Sequence, residues 1–395
     1  MSAPRIAYLL PDPGIPVGGT KGASVHVAEV CQALASRGAE VTLLAQRVAP
    51  GGPRLDRAQE LVVLDPGPLP RGEEGEVARI RAGERFAAEA ARVLADLRPD
   101  LVYERLSLFF PRGRELARKV GAGRLVEVNA PVAEERQRHF GLRYRGRARA
   151  DEALALLGAS VLAVSRPLAT WATALGATRA EVVPNGADPA RFDPGVNREA
   201  SVRLRRGLSL EGCEVVGFCG SLKPWHGVEV LARALKLLAP RHPRARLLVV
   251  GDGPRRLELE HLAAELGIAD RVISTGAVAP AAVPAHLCAM DVVAAPYLPT
   301  DDFYFSPLKV VEAMAAGRAV VASRFDATAE VLEGAGRLVT PGGAAELAEA
   351  LHELLSLPGE LERLGALARE RVIAELGWDR VADVVLASAA LGALA

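Results

Sequence analysis

The 395-residue chain has no charge imbalance: 48 Lys+Arg stand against 48 Asp+Glu. No overall basic field therefore marks it for nucleic acid. Paired cysteines are missing too. Cys31, Cys213, Cys219 and Cys288 are scattered, without metal or redox spacing, and reduced thiols in a cytoplasmic protein are the expectation. No uninterrupted apolar run is long enough to cross a bilayer, and Met1-Ser-Ala-Pro-Arg-Ile6 enters a strand without an apolar signal core. The Gly-rich loop after the first strand lacks the G-x-G-x-x-G spacing, so a bound dinucleotide is not inferred. What the chain does have is length and alternation. It is too long for one compact core and suits two domains.

Strand and helix patterns alternate from the start. Ile6–Leu10 is a short apolar strand, Pro11–Gly22 a loop carrying Gly18, Gly19 and Gly22, Ser24–Arg37 a helix stopped by Gly38, and Val41–Ala45 the next strand. Glycine in such a loop lets backbone approach a ligand, although a Gly-rich connector is as often a plain turn. Strands follow at 61–64, 101–103, 125–128, 161–165 and 181–183, and helices at 76–97, 151–157 and 166–175. Pro184-Asn-Gly-Ala-Asp-Pro189, dense in turn formers, marks a boundary. A second series then runs through strands 215–219, 246–250, 272–274, 291–296 and 319–323, with helices between and after them. Strands alternating with helices indicate parallel sheets covered on both faces. The expected fold class is α/β, with two doubly wound, Rossmann-like domains at 1–185 and 186–377. A final helix, 378–395, has apolar residues to bury, and by fold-level analogy it is expected to pack back on the first domain. Ligands in such sheets bind beyond the carboxyl ends of strands, and a cleft between the two domains is the default site.

The stretch Ser306-Pro-Leu-Lys-Val-Val-Glu-Ala-Met-Ala-Ala-Gly317 organises the second half. Ser306 is expected at the N-cap and Pro307 at the first helical position. The N–H groups of Leu308 and Lys309 would then be left free at the positive end of the helix, suited to an anion. Val310, Val311 and Met314 form an apolar stripe, with Glu312 off it. Alone, this reads as well as a surface helix with a solvated glutamate. A second feature is residues 101–150, where twelve bases face five acids, Glu127 and Glu104 among them. This reads either as a solvated arginine-rich surface or as a face for an anionic acceptor or acidic membrane, with weak peripheral contact through 136–149.

Taken together, five motifs resemble the family-four retaining glycosyltransferases of the GT-B architecture. They are Gly18-Gly19 after the first strand, Val183–Phe192 at the boundary, Gly220-Ser-Leu-Lys-Pro-Trp-His-Gly227, Val250-Gly-Asp-Gly-Pro254, and Ser306 to Ser323. Their order covers essentially the whole chain. The resemblance implies a nucleotide-diphosphate sugar held mainly on the second domain. Glu312 would accept the ribose hydroxyls, and the amides of Leu308 and Lys309 would face the diphosphate. Lys223 would neutralise its charge, against the alternative of a solvated loop lysine. Gly220, Gly251 and Gly253 would let backbone pass close to the nucleotide, and Gly19 would approach from the first domain.

This sequence also departs from the family pattern. Tyr304 stands where the family commonly has a first glutamate, with Asp301 or Asp302 as substitutes. His226 replaces a frequent lysine, as a neutral donor or as a cation at low pH. Asn129 stands where a histidine is frequent, with Glu134, Glu135, His139 and Arg143 as further acceptor-side candidates.

By the same resemblance the reaction is transfer to an acceptor hydroxyl with retention, the leaving phosphate taking the acceptor proton. That needs no metal and no cofactor, the nucleotide sugar being a substrate, and the sequence has no Asp-x-Asp motif. Base, sugar, acceptor and oligomeric state are left open. Two other readings are a non-catalytic nucleotide-sugar-binding subunit and a nucleotide-sugar epimerase.

Overall fold

The computed structural model describes residues 3–50, 59–70, 72–300 and 303–392. Two compact units emerge. One runs through Pro184 and includes Tyr304–Ser306 and the helix from Trp378; the other comprises Asn185–Phe303 and Pro307–Gly377.

The first unit is built on strands β1 (Arg5–Leu10), β2 (Glu40–Ala45), β3 (Gln59–Val63), β4 (Leu101–Arg105), β5 (Gly123–Val128), β6 (Ser160–Ala163) and β7 (Arg179–Val182). They lie in the order β3-β2-β1-β4-β5-β6-β7, all parallel. The order reverses between β1 and β4. Ile6 to Leu10 are fully buried, as expected of a strand covered on both faces. The helix Trp378–Gly392 packs on the helix Gly22–Ser36 and on β5. Trp378 meets His26 edge-on at 5.0 Å, and Arg37 reaches Asp383 at 3.0 Å.

In the second unit the strands are β8 (Glu214–Cys219), β9 (Ala245–Val250), β10 (Val272–Gly276), β11 (Val292–Ala295), β12 (Ala319–Ser323) and β13 (Arg337–Val339). Their order is β10-β9-β8-β11-β12-β13, again parallel, with the reversal between β8 and β11. Both units are thus Rossmann-like and doubly wound.

The helices Gly113–Val120, Val132–Phe140, Arg198–Gly207 and Asp326–Leu332, and the strand β13, were not legible in the sequence. The helix expected from Asp151 begins six residues earlier, at Arg145. Arginine crowds the helices Gly113–Val120, Val132–Phe140, Arg145–Leu156 and Arg198–Gly207 and blurs their apolar period, while the seven-residue helix Asp326–Leu332 and the three-residue β13 are too short to show one. No described helix is long and apolar enough to cross a membrane.

Candidate functional site

In the second unit the sequence-selected residues gather at the carboxyl ends of β8, β9 and β11, beside the strand-order reversal, where open α/β sheets hold ligands. The helix Leu308–Ala315 points its start there. Pro307, in extended conformation (φ −80°, ψ 102°), holds the N-cap in place of Ser306 and has no polar side chain with which to cap the helix. The extended ψ at Pro307 makes the helix start one residue later than expected. The first bonds within it run from the Val310 and Val311 amides to the Pro307 carbonyl, at 3.0 and 3.4 Å. The Leu308 and Lys309 amides precede them, in the positions a helix leaves unsatisfied.

Glu312 is half-buried, not the solvated surface acid that a lone amphipathic helix would carry. Val310, Val311, Ala313, Met314 and Ala315 are all buried, so the helix is covered on most sides and Glu312 looks toward Cys219 and Lys309.

The Lys309 ammonium nitrogen is itself buried and, among the described residues, has no hydrogen-bond partner. It lies 4.4 Å from the centre of the Phe218 ring and 5.4 Å from that of Tyr297, the distance range of a cation–π contact. Burial pushes its pKa down to about 7, against the opposing influence of Cys219 and then Glu312. The Cys219 thiol is pushed up to about 12 by burial, so at neutral pH Glu312 is the charge that faces the lysine.

Lys223 begins the short turn Pro224–His226, with its nitrogen 5.8 Å from the Trp225 ring centre. His226 has its Nδ1 2.5 Å from the Ser221 carbonyl oxygen. A carbonyl only accepts, so Nδ1 carries the proton and Nε2 is left as an acceptor. Burial, then the Lys309 charge, lowers the ring to about 3. His226 is therefore neutral, with its one N–H committed, and the expected donor role toward phosphate does not fit this geometry.

The glycines here serve backbone packing. A Cβ on Gly227 (φ +66°) would stand 1.8 Å from the Pro296 carbonyl oxygen, and one on Gly251 (φ +137°) 2.0 Å from that of Gly220. Gly253 meets Leu222 backbone in the same way. Asp301 and Asp302 lie outside the described residues.

The first unit holds a site that the sequence reading missed. In the β1–β4–β5 register Tyr8 faces Tyr103, and Arg105 faces Glu127. Side chains two apart on a strand share a face, so these groups converge on the Glu127 carboxylate, which is fully buried. Tyr8 and Tyr103 donate to Oε2 at 2.6 and 2.8 Å. Arg105 Nη1 lies 2.6 Å and His26 Nε2 2.7 Å from Oε1, and the Asn129 carboxamide also donates to Oε1. Burial alone would raise this carboxyl. His26 and Arg105, with the hydrogen bonds, outweigh it and hold the acid well below the usual carboxylate range. Only a single acid inside the apolar run Leu125-Val-Glu-Val128 signalled it in the sequence.

The arginine-rich reading changes accordingly. Arg105 pairs with Glu127, and Arg124 pairs with the buried Glu104 at 2.8 Å. Arg145 and Arg149 bond Glu134, and Arg147 bonds Asp151. Several of these arginines are thus held in ion pairs within the unit rather than displayed singly, although of these pairs only Arg147–Asp151 draws on an acid outside residues 101–150. Asn129 ends up beside the Glu127 cluster, half-buried, with Nδ2 committed to the carboxylate.

Of the other acceptor-side candidates, Glu135 is pushed up by burial, partly offset by a bond from Tyr304. Tyr304 is buried in this unit's core beside Val128, Val164 and Leu168, and its carbonyl accepts from Ser165 at 2.7 Å. His139 meets Phe140 edge-on at 6.4 Å, and the Arg143 amide donates to Glu76 at 3.1 Å. Gly18 (φ +76°) and Gly19 lead into the helix that carries His26. A Cβ on Gly19 would sit 2.7 Å from Ser24 Oγ.

Residues 20–191 match the model of Glycosyltransferase Family 4, and residues 213–357 that of the group 1 glycosyl transferases. The chain is 31% identical to the D-inositol 3-phosphate glycosyltransferase of Acidothermus cellulolyticus, over 93% of its own length and 85% of that protein. It is 32% identical to the 2-deoxystreptamine glucosyltransferase of Streptomyces kanamyceticus, over 56% of this chain; there the match spans little more than half of the relative, 57%. The crystal structure of Anabaena Alr3699/HepE in complex with UDP-glucose superposes with a TM-score of 0.73 at 19% identity, over 98% of this chain and 99% of that one. The likeness identifies the two-Rossmann, GT-B architecture. With both halves matched in order, the chain belongs to glycosyltransferase family 4.

Proposed function

We propose that this glycosyltransferase moves a sugar from a nucleotide-diphosphate donor to an acceptor hydroxyl, with retention at the anomeric carbon and without a metal. The observation that carries the reading is the convergence in the second unit. Two helix-start amides, a buried lysine amine and a half-buried glutamate meet at the carboxyl edge beside the strand-order reversal. Amides and amine suit a pyrophosphate, whose negative charge grows as the sugar leaves. Glu312, a turn further along the helix, suits the ribose hydroxyls. Lys223 adds positive charge at the rim. A protein of the same fold, Anabaena Alr3699/HepE, forms a complex with UDP-glucose, which agrees with a donor of this class.

The leaving phosphate would take the acceptor proton on the face it departs from. That retains configuration, and it asks of the protein only positioning and positive charge. In the first unit the Asn129 Oδ1, fixed by the bond from Nδ2 to Glu127, is suited to accept a hydrogen bond from the incoming hydroxyl. Peripheral membrane contact through 136–149 is a lesser part of the proposal, given how many of those arginines are paired.

A thermal-shift screen of nucleotide sugars tests the donor class, since a bound donor raises the midpoint by mass action. NMR of the product's anomeric proton reads retention, and turnover in excess EDTA reads metal independence. An inverted product, or loss of turnover in EDTA, refutes the corresponding clause.

A further inference from the structure

Lys309 poses a physical problem. Its nitrogen is sealed from solvent with no hydrogen-bond partner among the described residues, and an ammonium is costly to bury in that state. The side chain occupies the space above Gly220. A Cβ there would stand 3.1 Å from Lys309 Cε and 3.2 Å from Nζ, so the absence of a side chain at 220 keeps the slot open. The amine therefore sits at the carboxyl end of β8, next to the start of its own helix.

The groups around it can be named. From β8 comes Cys219, whose thiol is neutral at physiological pH. The 3-10 turn contributes His226, neutral well above its lowered value, and Lys223. The segment after β11 supplies Tyr297, its phenol held by burial above the usual range. On its own helix stands Glu312. Among these described residues only Glu312 is an acid, and it does not lift the amine back to an ordinary lysine value.

We propose that the Lys309 side chain, stored against the Phe218 and Tyr297 rings, is a proton-linked anchor for the donor: it takes up one proton from solvent as the diphosphate arrives, and the resulting ammonium neutralises the anion. The inference deepens the donor reading above and rests on it. No bond is made or broken. The amine nitrogen gains the proton, and the buffer loses it. An anion beside an amine favours the charged form, so donor affinity and protonation are reciprocal. A structural lysine that only packs on two rings would show no such coupling.

The test is calorimetry of the full-length protein with UDP-glucose and with GDP-mannose, whose diphosphate diesters do not titrate near neutrality. Each titration is run in buffers of different ionisation enthalpy. With the free amine at about 7, linkage gives uptake of about 0.9 proton at about pH 8, and a Kd that weakens about 25-fold between about pH 6.5 and about pH 8.5. Lys309→Met should abolish the uptake and flatten the pH dependence. Lys309→Arg, permanently charged, should bind without uptake. Donor binding by the unaltered protein with no proton uptake would overturn the inference and leave the donor reading standing. So would full uptake persisting in Lys309→Met. Failure of every nucleotide-diphosphate sugar to bind would overturn both.

Discussion

Replacing Glu127 by glutamine keeps the side chain's size and removes only its charge, in the most tightly specified polar site of the first unit. Five donors aim at this carboxylate: Tyr8, Tyr103, Arg105, His26 and Asn129. A carboxamide offers one accepting oxygen in place of two, and its NH2 must face either the tyrosine hydroxyls, which would have to turn from donating to accepting, or Arg105, which can only donate. It also leaves Arg105, 7% exposed, without its counter-charge. Breaking a buried pair by removing one partner costs about 3–5 kcal/mol. For a unit of roughly 200 residues that is a fall in Tm of about 6–20 °C, at about 2–4 °C per kcal/mol. Thermal unfolding followed by circular dichroism reads it directly.

The pH dependence supplies a second readout. The folded-state carboxyl is held below its ordinary value, so its contribution is complete above the unfolded value of about 4.3 and is lost as pH falls below it toward the folded one. The native protein should therefore lose Tm steeply below about pH 4, and Glu127→Gln should lose less over the same range. A Tm drop under about 2 °C, with an unchanged acid profile, would refute the idea that this carboxylate holds the cluster together.

Other consequences can be checked with the same preparations. Glu152 is buried and raised to about 7 by burial, despite the bond it accepts from the Ala133 amide. Its ionisation therefore costs stability as pH rises from the unfolded carboxyl value to about 7. Glu152→Gln should raise stability at about pH 8 by on the order of 3–4 kcal/mol and change little at about pH 4.5, read as Tm at the two pH values. Gly227→Ala would drive a Cβ to within 1.8 Å of the Pro296 carbonyl oxygen at φ +66°; the expected loss is on the order of 3 kcal/mol in urea unfolding, and a loss under about 1 kcal/mol would contradict the close packing described. Lys223→Ala should lose most turnover with the Tm unchanged, and near-normal turnover would remove Lys223 from the donor site.

The sequence by itself determined the class of fold. Short continuous apolar runs alternating with 3.6-period ones admit little besides parallel sheets with helices on both faces, and the motif order from Gly18-Gly19 to Ser306–Ser323 carried the family. These are properties of local pattern. Glu312 and the amides of Leu308 and Lys309 could be singled out for the same reason, because a helix start after a buried strand is written in consecutive residues. What the tertiary structure alone decided was which charges are buried and which groups meet. Glu127 and Arg105 counted as members of a charged surface until strand register set them face to face beneath Tyr8 and Tyr103. Lys309 was a backbone amide in the sequence reading; its side chain mattered only once β8, the turn at His226 and Tyr297 closed around it. Burial of a titratable group depends on elements that approach from distant parts of the chain, and no window of sequence contains them.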